Sequence, residues 1–312
     1  MGFRHIGWVF LALPGACATT VSAADAPAAD PAEVVFEKDV VYGKGGGVDL
    51  KLNLCRPKGA DGEKRPCVLV IHGGGWMGGD KSQHDQQVRD FARAGFVSAT
   101  VGYRFAPAHP FPAQVHDVKA AVRFLRANAD KYGIDPQRFG AVGFSAGAHL
   151  SMMLATMDKE DGLEGDGGSP GQSSKVQAAV AYFGPTDLAA TDVPDRVKDI
   201  LKNFIGGTPA EKPREYRLAS PLTYVSPGDA SMLLFQGTRD PLVPHTQAYA
   251  MIEAMTRYNI PGRVELLVNG GHGWGGAELK HTIDQTFAFF DQHLKQGSAA
   301  ATSRASGAAG GR

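Results

Sequence analysis

Phe139-Gly-Ala-Val-Gly-Phe-Ser-Ala-Gly-Ala-His149 decides how this chain is read. Its centre, Gly143-Phe144-Ser145-Ala146-Gly147, is a G-x-S-x-G run. Apolar residues of strand character precede it (Phe139 to Val142), and a helix-like stretch follows it (Ala148, Leu150, Met152, Met153, Leu154). A sharp strand-to-helix turn here lifts a serine hydroxyl above the end of a sheet, and flanking glycines permit the tight backbone. In isolation the pattern is shared with many glycine- and serine-rich loops. The strand before and the helix after supply the context that makes Ser145 a candidate nucleophile.

Upstream, Cys67-Val-Leu-Val-Ile71 reads as a buried strand and runs into His72-Gly73-Gly74-Gly75-Trp76. Acyl transfer passes through a tetrahedral oxyanion, which needs preorganised N–H donors. A glycine-rich turn after a strand aims backbone amides at that charge with no side chain in the way. The expected donors are the amides of Gly74, Gly75 and Ala146, the residue after the serine. Read alone, the same stretch is a flexible turn closing a strand. The serine motif downstream favours the oxyanion reading.

A serine of this kind needs a base and an orienting acid, in the chain order serine, acid, histidine. Met232-Leu-Leu-Phe235 reads as a strand ending in Gln236-Gly-Thr-Arg-Asp-Pro-Leu-Val-Pro244, which puts Asp240 on the following loop. Arg263-Val-Glu-Leu-Leu-Val268 reads as the next strand, ending in Asn269-Gly-Gly-His-Gly-Trp274, which puts His272 on a neighbouring loop. Catalytic groups of open α/β sheets gather at that C-terminal edge. The 32 residues from Asp240 to His272 accommodate one helix (Thr246 to Tyr258) and one strand.

Other histidines fit other places. His5 lies in a removable leader, and His72 suits bracing the oxyanion turn. His149 sits one helical turn beyond Ser145. It reads as a packed, hydrogen-bonded core residue whose loss affects stability more than chemistry. His116 reads as a cap residue of a helix starting near Asp117, His245 as a pocket-rim residue, and His281 and His293 as helix-face residues.

Together these motifs resemble the α/β-hydrolases of the hormone-sensitive-lipase-like esterase group. The residues carrying the likeness are HGGGW at 72–76, Tyr103-Arg104 with Pro110-Phe-Pro-Ala113, GFSAG at 143–147, Asp240-Pro-Leu242 and His272-Gly273. More narrowly, Leu163-Glu-Gly-Asp166, Ser169-Pro-Gly-Gln-Ser-Ser174, Tyr182-Phe-Gly-Pro-Thr-Asp187 and Ser220-Pro-Leu-Thr-Tyr-Val225 resemble bacterial secreted carbohydrate esterases that remove acetyl or feruloyl groups from xylan. The resemblance implies an α/β-hydrolase fold: a mostly parallel sheet flanked by helices, with antiparallel N-terminal strands. It implies a Ser-His-Asp carboxylesterase working through an acyl-enzyme on a small-molecule or polysaccharide ester, with no cofactor. A peptidase or amidase of the same fold is the enzyme alternative. A binding module on a retired scaffold is the other, disfavoured because serine, acid and histidine are all retained.

Composition is consistent with one catalytic domain. The 312 residues are 43% hydrophobic, and lysine plus arginine balances aspartate plus glutamate at 32 each. A balanced charge gives no support for nucleic acid or an anionic membrane as partner. No Walker loop, zinc-ligand cluster or internal repeat is present, and nothing in the sequence sets an oligomeric state.

The N-terminus reads as a targeting segment. Arg4 and His5 give a positive region, Ile6 to Ala12 an apolar one, and Val21-Ser-Ala23 a processing site, so cleavage is expected after Ala23. The apolar run is too short to span a bilayer, which disfavours an uncleaved anchor. A lipidated Cys17 is disfavoured by Pro14 three residues before it. The expected product is secreted or periplasmic, with no membrane contact after cleavage. The expected organisation is leader 1–23, linker 24–33, catalytic domain 34–296 and a Gly/Ala/Ser tail 297–312. Export leaves Cys55 and Cys67, which bracket a Gly/Pro/Lys loop. A disulfide between them is open, since oxidising compartments favour it but their strands need not be adjacent.

Within the domain, two antiparallel strands are expected over Val34 to Leu54, around Gly45-Gly46-Gly47. Helices are expected over Gln86 to Arg93, Asp117 to Tyr132, Ala146 to Met157 and Thr282 to Leu294. Two insertions bear on substrate. Asp158 to Ser174 reads as a solvated acidic loop, and it lacks the oxygen-ligand register of a calcium site, so no metal is expected. Asp187 to Asp229, with a helix near Val197 to Phe204, is a candidate pocket wall. Trp76 and Trp274 are candidates for lining an open site, with core packing as the alternative.

Overall fold

The computed structural model describes residues 33–59 and 62–296. The expected leader and tail lie outside them, as does all of the linker except Glu33. Val34–Gly45 (β1) and Val48–Pro57 (β2) pair antiparallel around Gly46-Gly47. The strands that follow are Arg65–Ile71 (β3), Val97–Val101 (β4), Ile134–Phe144 (β5), Ala178–Tyr182 (β6), Ser231–Gly237 (β7) and Gly262–Leu267 (β8). They form one eight-stranded sheet in the order β1-β2-β4-β3-β5-β6-β7-β8. Pairing is parallel from β4 through β8, and antiparallel where β2 meets β1 and β4. This is an α/β-hydrolase sheet.

Parallel strands covered on both faces need continuous apolar runs. β3 supplies one: no residue from Cys67 to Ile71 is more than 1% exposed. Alternate side chains go to opposite faces. Leu69 and Ile71 join a core with Val118 and Val122 of Ala113–Ala127 (α2), Leu150 and Met153 of Ala146–Thr156 (α4), and Met251 of Thr246–Arg257 (α7). Val68 and Val70 join a second core with Val88 and Phe91 of Asp85–Arg93 (α1) and Phe289 and Phe290 of Gly276–Phe290 (α8). Ala129–Tyr132 (α3) follows α2, and the later insertion carries Asp195–Ile205 (α5) and Pro213–Leu218 (α6). Every residue of α4 is buried, as befits a helix apolar all round. Among the described residues no helix is long and apolar enough to cross a membrane.

Two helices start earlier than expected. α2 begins at Ala113 rather than near Asp117, so His116 lies inside it. Pro112 stands at its N-cap, and proline is well tolerated at the start of a helix. α8 begins at Gly276 rather than Thr282, with Gly275 at its N-cap.

The Cys55–Cys67 bridge is excluded by strand order. β4 lies between β2 and β3, with Cys55 opposite Ser98 and Cys67 opposite Val97. Two strand spacings come to about 9.5 Å, beyond the roughly 7 Å that a disulfide spans. The two side chains also pack in different cores, and both thiols are free and buried.

The acidic insertion is mostly exposed, as expected of a solvated loop, but it is anchored to α2 through Glu164. Glu164 accepts from Lys119 Nζ (2.6 Å), Arg123 Nη1 (2.7 Å) and Ser174 Oγ (2.7 Å). Lys119 and Arg123 are 0% and 1% exposed, so the loop carboxylate pairs two buried cations of α2. Arg123 and Arg126 also donate to the carbonyls of Gly167 and Lys175. No cluster of three or more metal-ligating side chains occurs among the described residues.

Candidate active site

Ser145 sits where β5, near the middle of the sheet, turns into α4. Its backbone is in an unusual region for a side-chain-bearing residue, φ 52° and ψ −117°. The surroundings hold that strain in place, since Ser145 N–H donates to Tyr182 O (2.9 Å) and Ser145 O accepts from His149 N–H (3.0 Å). A Cβ at Gly147 would lie 2.1 Å from Ile71 O, so glycine alone lets α4 start this close to β3.

The loops after β7 and β8 are tied together by their backbones. Thr238 N–H donates to Leu267 O (3.0 Å) and Arg239 N–H to Gly270 O (2.8 Å). Asp240 and His272 are thereby presented at one place. The Asp240 side chain is fully buried. Its Oδ1 accepts from the amides of Leu242 (2.8 Å) and Val243 (3.0 Å). Its Oδ2 faces His272 Nδ1 at 2.8 Å and accepts from Gln236 Nε2 at 3.2 Å. His272 Nε2 lies 2.9 Å from Ser145 Oγ. The His272 ring is packed on Phe183, 4.6 Å between centroids. One continuous line of hydrogen bonds thus runs from a buried carboxylate through an imidazole to a strained serine.

The glycine turn lies against this line. A Cβ at Gly73 would come within 3.4 Å of Ser145 Cβ. Gly74, Gly75 and Trp76 all have positive φ, 117°, 59° and 59°. Among the described residues the Gly74 and Gly75 amides find no acceptor. Ala146 is the first residue of α4, where N–H groups lack intrahelical partners. His72 lies beneath the turn, its ring stacked on Tyr103 at 4.4 Å and its Nδ1 bonded to Gly73 O at 2.7 Å. Burial lowers its pKa, so the ring is neutral.

The two tryptophans differ in depth. Trp76 is 3% exposed and stacks on Phe204 of α5 at 4.1 Å, so it does not line an open site. Trp274 is half-buried, its Nε1–H donating to Thr282 Oγ1 (3.0 Å) and its ring against Phe183. It braces the residue that braces His272. The insertion does reach the site: Ile200 of α5 would lie 3.1 Å from a Cβ at Gly75.

Rival histidines are engaged elsewhere. His149 is fully buried with both ring nitrogens hydrogen-bonded. His281 pairs with Glu265, His245 packs on Tyr249, and His293 on Phe289. Sequence reasoning missed Gln236, which lies just before the acid in the same segment, and Phe183, whose position beside the base follows from strand order. It also missed His84, stacked on Phe144 at 4.7 Å. Burial drives the His84 pKa down to about 4.

Sheet order and the chain order serine, acid, histidine define an α/β-hydrolase of the hormone-sensitive-lipase-like esterase group. The BD-FAE family profile matches residues 52–255, and the chain belongs to that family. It is 30% identical over 220 residues to Esterase LipQ of Mycobacterium tuberculosis, covering 70% of this chain and 52% of LipQ. The chain therefore spans about half the length of that relative. A solved structure described as a truncated carbohydrate esterase from gut microbiota matches with TM-score 0.74 and 26% identity, over 86% of this chain and 99% of that one. Esterase Est2 of Thermogutta terrifontis matches with TM-score 0.69 and 26% identity, over 84% of this chain and 92% of that one.

Proposed function

We propose that the protein is an exported serine carboxylesterase that removes acetyl or feruloyl groups from plant polysaccharide such as xylan. The observation that carries the reading is the line Asp240–His272–Ser145. Ser145 attacks the ester carbonyl while His272 Nε2 takes its proton. The imidazolium then gives that proton to the departing alcohol, leaving an acyl-serine. Asp240 holds the Nδ1–H tautomer and stabilises the transient charge. The amides of Gly74, Gly75 and Ala146 receive the oxyanion. Water, activated by the same imidazole, releases the acid and regenerates the serine.

The polysaccharide assignment rests on the sequence likenesses at 163–187 and 220–225 and on similarity to a protein described as a carbohydrate esterase. Export rests on the leader-like segment ending at Ala23. An activity panel of acetyl-xylan, methyl ferulate and longer acyl esters tests the substrate class. Highest kcat/KM on the acetyl or feruloyl substrates supports it; preference for long acyl chains or for amides contradicts it. N-terminal sequencing of exported protein should begin at Ala24, and a lipid-modified Cys17 as first residue would contradict the leader reading.

A further inference from the structure

Three consecutive residues of the oxyanion turn, Gly74, Gly75 and Trp76, hold left-handed backbone conformations. For the two glycines this carries no penalty, but for a bulky tryptophan it is strained. Such a conformation persists only where the surroundings over-determine it. Three contacts fix Trp76. Its carbonyl accepts from Ala106 N–H (2.9 Å), its ring stacks on Phe204 (4.1 Å, 11°), and its Nε1–H donates to His149 Nδ1 (3.2 Å).

His149 itself has a single available tautomer. Its Nε2–H donates to Ala219 O (2.6 Å), which leaves Nδ1 as the acceptor facing Trp76. The ring is 0% exposed, and burial lowers its pKa to about 4, which keeps that acceptor available. His149 stands on α4, the helix that starts at the serine. Ala219 follows α6 in the insertion. One imidazole therefore ties the nucleophile's helix, the oxyanion turn and the insertion together.

We propose that His149 is a positioning residue for the oxyanion turn: by accepting the Trp76 indole N–H it holds the left-handed turn, and so aims the Gly74 and Gly75 amides at the developing charge. The inference rests on the esterase reading above. His149 touches neither substrate nor serine hydroxyl in this role; its effect is transmitted through Trp76, a bond that gives its loss a consequence for chemistry that the sequence did not show. Misaligned amides cost most where charge is greatest, so the loss falls on kcat rather than on KM.

Two one-sided variants separate the bonds. His149→Asn places an acceptor near the Nδ1 position; His149→Gln places a donor near the Nε2 position. Trp76→Phe keeps a ring to stack on Phe204 but removes the N–H. With a nitrophenyl acetate, Trp76→Phe and His149→Gln should each lose about tenfold or more in kcat with KM within about twofold, a partial form of deleting an oxyanion donor. A trifluoromethyl ketone, which forms a tetrahedral serine adduct, should weaken in proportion. His149→Asn should recover most of kcat. The Trp76→Phe/His149→Gln double variant should be little worse than either single one. Folding is checked by circular dichroism. Folded Trp76→Phe with wild-type kcat and wild-type ketone affinity overturns the inference while leaving the esterase reading intact. Wild-type protein that turns over no ester overturns both.

Discussion

His272 Nε2 lies 2.9 Å from Ser145 Oγ although 127 residues separate them in the chain. The two come from loops after β8 and β5, with β6 and β7 between those strands. What closes the gap is the loop after β8, tied to the loop after β7 and leaning on Phe183 at the end of β6. The alignment is thus a property of the whole sheet edge rather than of any one loop.

Asp240→Asn should lower kcat by about 10⁴, with the fold unchanged. The reason lies in the partners of Oδ1. Two backbone amides donate to it, so an asparagine must keep its carbonyl there and turn its NH2 toward His272 Nδ1. That donor stabilises the Nε2–H tautomer, which cannot accept the serine proton. Steady-state kinetics on an acetyl ester checks it; a loss below about tenfold would mean that the carboxylate does not set the tautomer.

Glu164→Ala should destabilise the protein by about 3 kcal/mol, because it leaves Lys119 and Arg123 buried without their shared carboxylate. Urea unfolding measures this. A change within about 0.5 kcal/mol, typical of surface substitutions, would show that the loop is not anchored there.

Stability should fall as pH drops from about 6.5 to about 4. His84 is buried neutral, and its folded pKa, lowered to about 4 mainly by burial, lies below the unfolded value near 6.5. In that window the unfolded chain binds the proton and the folded chain does not, so acid favours unfolding; above it the contribution is fully retained. The effect is on the order of 3 kcal/mol across the window. His84→Phe, which keeps an aromatic ring to stack on Phe144, should show a shallower decline in unfolding midpoint between pH 6.5 and 4.5 than wild type, whereas parallel curves would contradict the assignment.

Much of this was legible in the sequence because it is local. The elbow, the glycine turn and the positions of Asp240 and His272 each depend on a strand and the residues directly after it. The disulfide question turned on strand order, which no single segment encodes: the chain visits β3 before β4, but β4 lies between β2 and β3. The anchor of the acidic insertion was hidden for a related reason. Glu164 has no visible partner nearby in sequence, since Lys119 and Arg123 lie on a helix 45 and 41 residues upstream. Trp76 reads equally well as a substrate contact or a core residue until the side chains of His149 and Phe204 are seen to enclose it.

The most direct test of the central claim is hydrolysis of a nitrophenyl acetate by wild-type protein, Ser145→Ala, His272→Ala and the double variant, each checked for folding. Wild type should turn the ester over, and each single variant should lose about 10⁶-fold in kcat. The double variant should be little worse, since the residues act as one unit. A folded Ser145→Ala retaining as much as about a tenth of wild-type turnover would contradict the account, because Ser145 would then not be the nucleophile.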